Sequence, residues 1–347
     1  MFDFIIVGQG IAGSVVALQL LKRGQRILVI GNSKANSASS IAAGLYNPIT
    51  GRSMVKTWLA ETLFPYLNHF YREAEQTLGA QFIHPMPIFR PFVTAEECAT
   101  WQKKAANYPD FIAAVVPATY HQENMKHLHG GIVLQQTGYL DVRGFIKATR
   151  TYLEGQGAYL EADFVHNRMH LSEHVHYQGL TARQVIFCEG PQAHKNPFFS
   201  TLPFRWMKGE LLLVTLQQSL EVIYNREVYV VPQAACQALV GATYARQDLS
   251  WTPTGQARKA LEARLQRTFS LLVYTVQDQR VGIRPATFDH RPLIGLHPQY
   301  PQVGIFNGLG SKGVSLAPYL AQTFADHLLS QTPLPSAVKL SRVRLAS

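Results

Sequence analysis

The stretch Phe2 to Lys22, FDFIIVGQGIAGSVVALQLLK, constrains this chain more than any other. A strand-forming apolar run ends at Gly8, Gly10 and Gly13, spaced G-x-G-x-x-G, and a helical pattern opens at once from about Ile11. In that setting the first glycine permits the tight turn, the second lets backbone approach a pyrophosphate, and the third lets helix pack on strand. Ile11 and Ala12 place backbone N–H groups at the positive helix end, where an anion is favoured. Arg26 to Ile30 reads as the next strand, so the segment opens a βαβ unit. Phe4 to Leu21 is apolar enough to imitate a membrane span, but Gly8, Gln9, Gly10 and Gly13 interrupt it and no basic segment or cleavage site precedes. No membrane span is expected.

A length of 347 residues exceeds one ordinary core, and 47% hydrophobic with 16% charged residues describes a globular chain that buries much surface. Leu59, Leu63, Leu67, Phe70, Ala74 and Leu78 recur at helical spacing and Gly79 stands at the C-cap position. FIHPMPIFRPFV, GELLLVTL, EVYVVPQ and QALVGATY alternate like strands of an antiparallel sheet, whereas QVIFC, ending at Gly190, returns to the apolar type of the first strand. The expected fold is α/β (α+β overall): a Rossmann-like dinucleotide domain from residues 1–80, 138–200 and 280–347, with an inserted, mainly antiparallel β substrate domain from 81–137 and 201–279.

Two further segments could meet a cofactor. SSIAAGLYNP, Ser39 to Pro48, is a loop whose small residues let backbone pass close to a flat ring and whose hydroxyls can reach phosphate oxygens. NGLGSKG, Asn307 to Gly313, precedes a helix containing Pro318, so its N-terminal N–H groups point at whatever lies before Ser315. Each alone also reads as loop or packing. His170, His174 and His176 read as a solvated hairpin face, and no metal site is expected. Cys98, Cys188 and Cys236 lack disulfide or zinc spacing, which fits a reducing, cytoplasmic setting.

Together with GYLDVRGF, EVYVVP and VGIRPAT, these segments resemble the D-amino-acid oxidase superfamily of FAD-dependent amine oxidoreductases, which includes glycine and sarcosine oxidases. The resemblance runs through nearly the whole chain in order. It implies FAD, with Gly8, Gly10 and Gly13 at the pyrophosphate, Ser39, Ser40, Ala43, Gly44 and Leu45 along phosphate and ring, and Val165 at adenine through its backbone. It places Gly190 with the cofactor domain, and Asn307, Gly308, Leu309, Gly310, Ser311 and Gly313 at the flavin pyrimidine edge, with Lys312 among them as a cation favouring reduced flavin. Arg284 and Tyr229 match positions that grip a substrate carboxylate, through a planar guanidinium fork and a directed phenol donor. No Cys follows residue 236, whereas the sarcosine-oxidase branch tethers its flavin through one, so FAD is expected to be non-covalent.

The sequence departs from the family pattern at LVIGNSK, where an acid for the adenosine ribose is expected and Gly31 and Asn32 stand instead. Ser33 and Lys34 would suit an NADP 2′-phosphate, but that leaves the other segments without a role, so Asn32 is read as a neutral substitute within an FAD site. The expected reaction is oxidation of a small-molecule amine, an amino acid or N-substituted amino acid, by hydride transfer to flavin N5 giving an imine. Oxygen or another electron acceptor would reoxidise the flavin. GLYNP and GLGSKG also resemble the oxidase domain of a bacterial tRNA wobble-uridine modification enzyme. There the amine is a carboxymethylaminomethyl group, and the formal charge of +10 would serve an RNA backbone; nucleic acid is thus the secondary partner. A nucleotide-binding module without turnover is the alternative from another class.

Overall fold

The strand Phe2–Val7, apolar from Phe4 onward, is an interior strand, covered on both faces, of a largely parallel sheet. The computed structural model, which describes residues 1–51, 54–121, 125 and 127–343, orders this sheet Tyr159–Glu161, Ile27–Gly31, Phe2–Val7, Leu180–Phe187, Val303–Asn307, Leu293–Leu296. These six strands run parallel except the last, which returns antiparallel beside Val303–Asn307. Strand order reverses between Phe2–Val7 and Leu180–Phe187, and a ligand crevice belongs outside the carboxyl ends of strands at such a point. The hairpin Met169–Leu171 and Val175–Tyr177 extends the first half of Leu180–Phe187, with His170 opposite His176.

The α-helices among the described residues are α1 Ile11–Lys22, α2 Ala60–Leu78, α3 Ala95–Lys104, α4 Val142–Gly155, α5 Gly255–Thr268 and α6 Gly313–Ser330. Helix α1 is buried almost all round, between the sheet, α4 and α6, as its apolar composition demands. Helix α2 buries Leu63, Phe64, Leu67, Phe70, Tyr71 and Ala74, and Gly79 closes it at φ 61°. A Cβ-free residue takes that left-handed turn without strain.

The second sheet is mainly antiparallel, in the order Tyr274–Thr287, Phe204–Leu216, Gln237–Gly241, Tyr229–Pro232, Ile223–Asn225, Ile88–Pro91, Gly131–Leu134, Ile112–Val116. Alternation sorts its two faces. Leu212, Val214, Val230 and Val240 pack with Leu261 and Leu265 of α5, while Leu211, Val231 and Leu239 join the core shared with the first sheet. That period-two sorting turns Tyr229 and Gly241 toward the crevice. Strand Tyr274–Thr287 passes the expected junction at residue 280 without a break. Among the described residues no helix is long and apolar enough to cross a membrane.

Candidate active site

A cleft of about 1560 Å³ lies between the two sheets, along the carboxyl ends of the parallel strands. It exceeds the roughly 300–1,000 Å³ of an ordinary small-molecule pocket, so it accommodates an elongated ligand together with a second, smaller one.

At one end is the Gly8 turn. Gly8 takes φ 97°, and a Cβ there would sit 2.6 Å from the Cys188 carbonyl oxygen. Gly13 has no room for a side chain against the Gly8 carbonyl, which is the packing role its spacing implied. Gly10, at the α1 N-cap, supplies no side-chain cap, and the first turn holds no acidic residue. Instead the Ile11 N–H donates to Ser39 Oγ at 3.1 Å, which docks the small-residue loop onto the helix start. The positive end of α1 therefore faces the cleft with Gly8, Gly10 and Ser39 around it. Arg150 of α4 adds a cation here, donating through Nε and Nη2 to Gln9 Oε1 at 3.1 and 3.0 Å.

Beyond the turn, Asn32 donates to Asp163 Oδ1 at 2.9 Å. Glu161, opposite Gly31 in the neighbouring strand, accepts from the Ser33 N–H and from the Tyr159 hydroxyl. Asn307 Nδ2 donates to the Gly190 carbonyl at 2.9 Å and so ties together the carboxyl ends of two parallel strands.

At the other end Lys312 caps α6 and donates through Nζ to Thr50 Oγ1 at 3.3 Å and Thr57 Oγ1 at 3.2 Å. Burial, helped by the nearby Arg291 charge, lowers its pKa below the ordinary lysine value. Arg284 and Tyr229 face the cleft from the second sheet, each lying over a glycine of the adjoining strand. A Cβ on Gly209 would overlap Arg284 Nη1, and one on Gly241 would sit 2.5 Å from the Tyr229 hydroxyl. Among the described residues the Arg284 guanidinium makes one hydrogen bond, a 3.5 Å contact to the Thr243 carbonyl, and stacks 5.0 Å over the Tyr244 ring. Burial raises the Tyr229 phenol to about 12 against the pull of the Arg284 charge, so it remains a proton donor at neutral pH.

The cleft gathers Gly8, Gly10, Ile11, Ala12, Asn32, Ser39, Ala43, Gly44, Leu45, Gly190, Asn307, Leu309, Gly310, Ser311, Gly313, Lys312, Arg284 and Tyr229. It does not gather Gly13, which packs under the turn against the Gly8 carbonyl, Ser40, whose hydroxyl turns back to the Ser37 carbonyl, or Gly308, which lines a smaller adjoining pocket. Val165 is placed outside the lining as well: its N–H donates to the Tyr177 hydroxyl and its carbonyl accepts from Arg168. Its neighbours Phe164 and His166 reach the cleft instead. Sequence reasoning missed Arg150, Asp163, Gly209 and Gly241. The last two carried a signal, since a glycine inside a strand marks a close approach. No group of three or more potential metal ligands occurs among the described residues.

FAD fits this set of donors. A dinucleotide pyrophosphate suits the Gly8 turn and helix end, and a cleft continuing to the cationic Lys312 end leaves room for a flavin and a substrate.

A model of the FAD dependent oxidoreductase family matches residues 3–327. A bifunctional ThiO/ThiG protein of Trichormus variabilis is 23% identical over 98% of this chain and 55% of its own length. The tRNA 5-methylaminomethyl-2-thiouridine biosynthesis bifunctional protein MnmC of Marinobacter nauticus is 24% identical over 94% of this chain and 55% of its own. The chain thus spans about half the length of these curated relatives. The crystal structure of iminodiacetate oxidase from Chelativorans sp. BNC1 superposes with a TM-score of 0.82 at 19% identity, covering 98% of both chains.

Proposed function

Because the chain belongs to the family of FAD-dependent oxidoreductases, we propose that its substrate is an amine bearing a carboxylate, an amino acid or N-substituted amino acid, oxidised to the imine. The observation that carries this reading is Arg284: a guanidinium facing the cleft without an acidic partner among the described residues, beside the Tyr229 phenol. A buried or half-buried cation is stable only when a ligand or neighbour answers its charge, and a carboxylate matches the guanidinium fork in two places. Tyr229, protonated up to about 12, adds a directed donor to the same anion. The two residues fix the substrate by its acid group, which turns the adjoining C–H toward the Lys312 end of the cleft. FAD, when bound, supplies the hydride acceptor for that C–H. The residues contribute mainly by positioning, and the amine reacts in its neutral form, so no side-chain base is required. Water then hydrolyses the imine.

Gly8, Gly10, Ile11, Ala12 and Ser39 would hold the pyrophosphate, and Gly44, Leu45 and the Asn307–Gly313 segment the flavin. The flavin would be non-covalent: of Cys98, Cys188 and Cys236 only Cys188 lines the cleft, and it lies under the Gly8 turn, at the pyrophosphate end. Residues 1–80, 138–200 and 280–347 would form the cofactor unit and 81–137 and 201–279 the substrate unit. The enzyme would act in the cytoplasm with oxygen or another carrier as final acceptor. An absorbance spectrum of the purified protein, followed by an anaerobic screen of amines for bleaching of the flavin, tests the reading.

A second reading keeps the chemistry and changes the carrier. Arg264 and Arg291 line the cleft and Tyr244 is exposed at its edge, which suits a phosphate backbone and a base presenting a carboxymethylaminomethyl group, while the Lys56 and Arg226 charges there are answered by Glu61 and Glu97. Arg284 would grip that carboxylate equally well. Binding of tRNA that weakens steeply with added salt supports this reading over free amino acids.

A further inference from the structure

The family pattern places an acid at the end of the second strand to hold the adenosine ribose, and this chain has Gly31 and Asn32 there. We infer that Asp163, delivered by the neighbouring strand, takes over that role, with Asn32 as its positioning residue; the inference rests on FAD being the ligand.

Strand Tyr159–Glu161 lies parallel to Ile27–Gly31 with Glu161 opposite Gly31, so the chain emerging from it runs beside Asn32. Asn32 has both polar atoms engaged. Its Oδ1 accepts from the Lys34 N–H at 2.9 Å, closing a local turn, and its Nδ2 donates to Asp163 Oδ1 at 2.9 Å. The amide is thereby fixed in one orientation, with one N–H and one lone pair remaining, and it presents no charge to a diol. One carboxylate oxygen of Asp163 is held, and both residues line the cleft between the Gly8 turn and Phe164. Glu161 does not serve, because it does not line the cleft and its oxygens face the Ser33 N–H and the Tyr159 hydroxyl. A carboxylate at this place accepts from a vicinal diol and repels a 2′-phosphate, so the site selects an unphosphorylated ribose despite Ser33 and Lys34. Gly31 cannot easily be replaced by the missing acid: a Cβ there would meet Gln9 Cβ at 2.9 Å and the Tyr159 hydroxyl at 3.2 Å. Gln9 closes Gly31 to an acid, and the carboxylate beside Asn32 comes from the segment that leaves the adjoining strand.

The test titrates flavin-stripped whole protein with FAD and with an FAD analogue whose adenosine ribose lacks both hydroxyls, reading flavin fluorescence. The wild type should prefer FAD by about tenfold or more, the equivalent of about 1.4 kcal/mol. Asp163→Asn should lose most of that preference while binding the analogue as before. Asn32→Asp alone should weaken FAD, since it sets two carboxylates side by side, and the exchange Asn32→Asp with Asp163→Asn should restore it. An undiminished preference for FAD in Asp163→Asn, or an exchange variant no better than the single ones, overturns the assignment of Asp163. A wild type that binds neither ligand would instead overturn the FAD premise itself.

Discussion

The Arg284 guanidinium lies against the bare backbone of Gly209 on the adjoining strand, where any Cβ would overlap its Nη1. Gly209→Ala should therefore push the guanidinium away from the position it holds in the cleft while leaving the FAD site intact. Steady-state kinetics should show KM for the oxidised amine raised about tenfold or more, with flavin content and Tm near wild type. A normal KM would mean the guanidinium tolerates displacement and does not touch substrate.

Tyr229 stands over Gly241 in the same way. Tyr229→Phe keeps the ring and removes one donor, so kcat/KM should fall by roughly tenfold, the worth of one hydrogen bond to a charged group. Because the phenol titrates only near 12, the wild-type pH profile should carry no step from Tyr229 between pH 6 and about 10. A Phe variant that equals the wild type removes the phenol from the site.

Lys312 should support the reduced, anionic flavin. Lys312→Met should lower the reduction potential by roughly 30 mV or more, the two-electron equivalent of about 1.4 kcal/mol. Its pKa is lowered by burial, so the support should fade with rising pH before the ordinary lysine range is reached. In the same window the unfolded chain binds the proton more tightly than the fold does, so this group makes stability rise with pH. An unchanged potential in dye-linked reduction would place Lys312 away from the flavin.

Buried Lys208 donates to Asp248 at 2.5 Å, to Ser250 and to the Thr252 carbonyl. The Lys208 hydrogen bond pulls the Asp248 carboxyl down to about 2. Stability from the pair is complete above the ordinary carboxylate range and is lost as pH falls through about 2. Asp248→Asn should be less stable to urea at neutral pH, and its deficit should shrink from about pH 4 to about 2. A deficit that stays constant with pH would assign the loss to packing.

What could be read from the sequence was what is contiguous in it. Gly8, Gly10 and Gly13 carry their meaning within six residues, and the Gly79 cap follows from the apolar spacing of α2 alone. The chemistry that was missed is set by neighbours across a sheet. Gly209 and Gly241 are needed because Arg284 and Tyr229 lie over them from adjoining strands, and register cannot be read from one strand. Asp163 reaches Asn32 only because strand Tyr159–Glu161 docks in parallel beside Ile27–Gly31. Within SSIAAG the loop was legible but the direction of each hydroxyl was not: Ser39 caps α1 and Ser40 turns away.

The central claim is that Arg284 holds a carboxylate while the adjoining C–H is oxidised, and anaerobic bleaching of the flavin tests it most directly. Wild type and Arg284→Met, each with full FAD content, are mixed with an amino acid or N-substituted amino acid that the wild type oxidises, and with its decarboxylated amine. The wild type should bleach with the carboxylated amine and hardly at all with the other. Arg284→Met should lose on the order of a hundredfold or more in kcat/KM toward the carboxylated amine, and Arg284→Lys should recover only part, because an ammonium lacks the planar two-point contact. Equal bleaching by both amines in the wild type, or an Arg284→Met variant with wild-type rate and KM, would contradict the account.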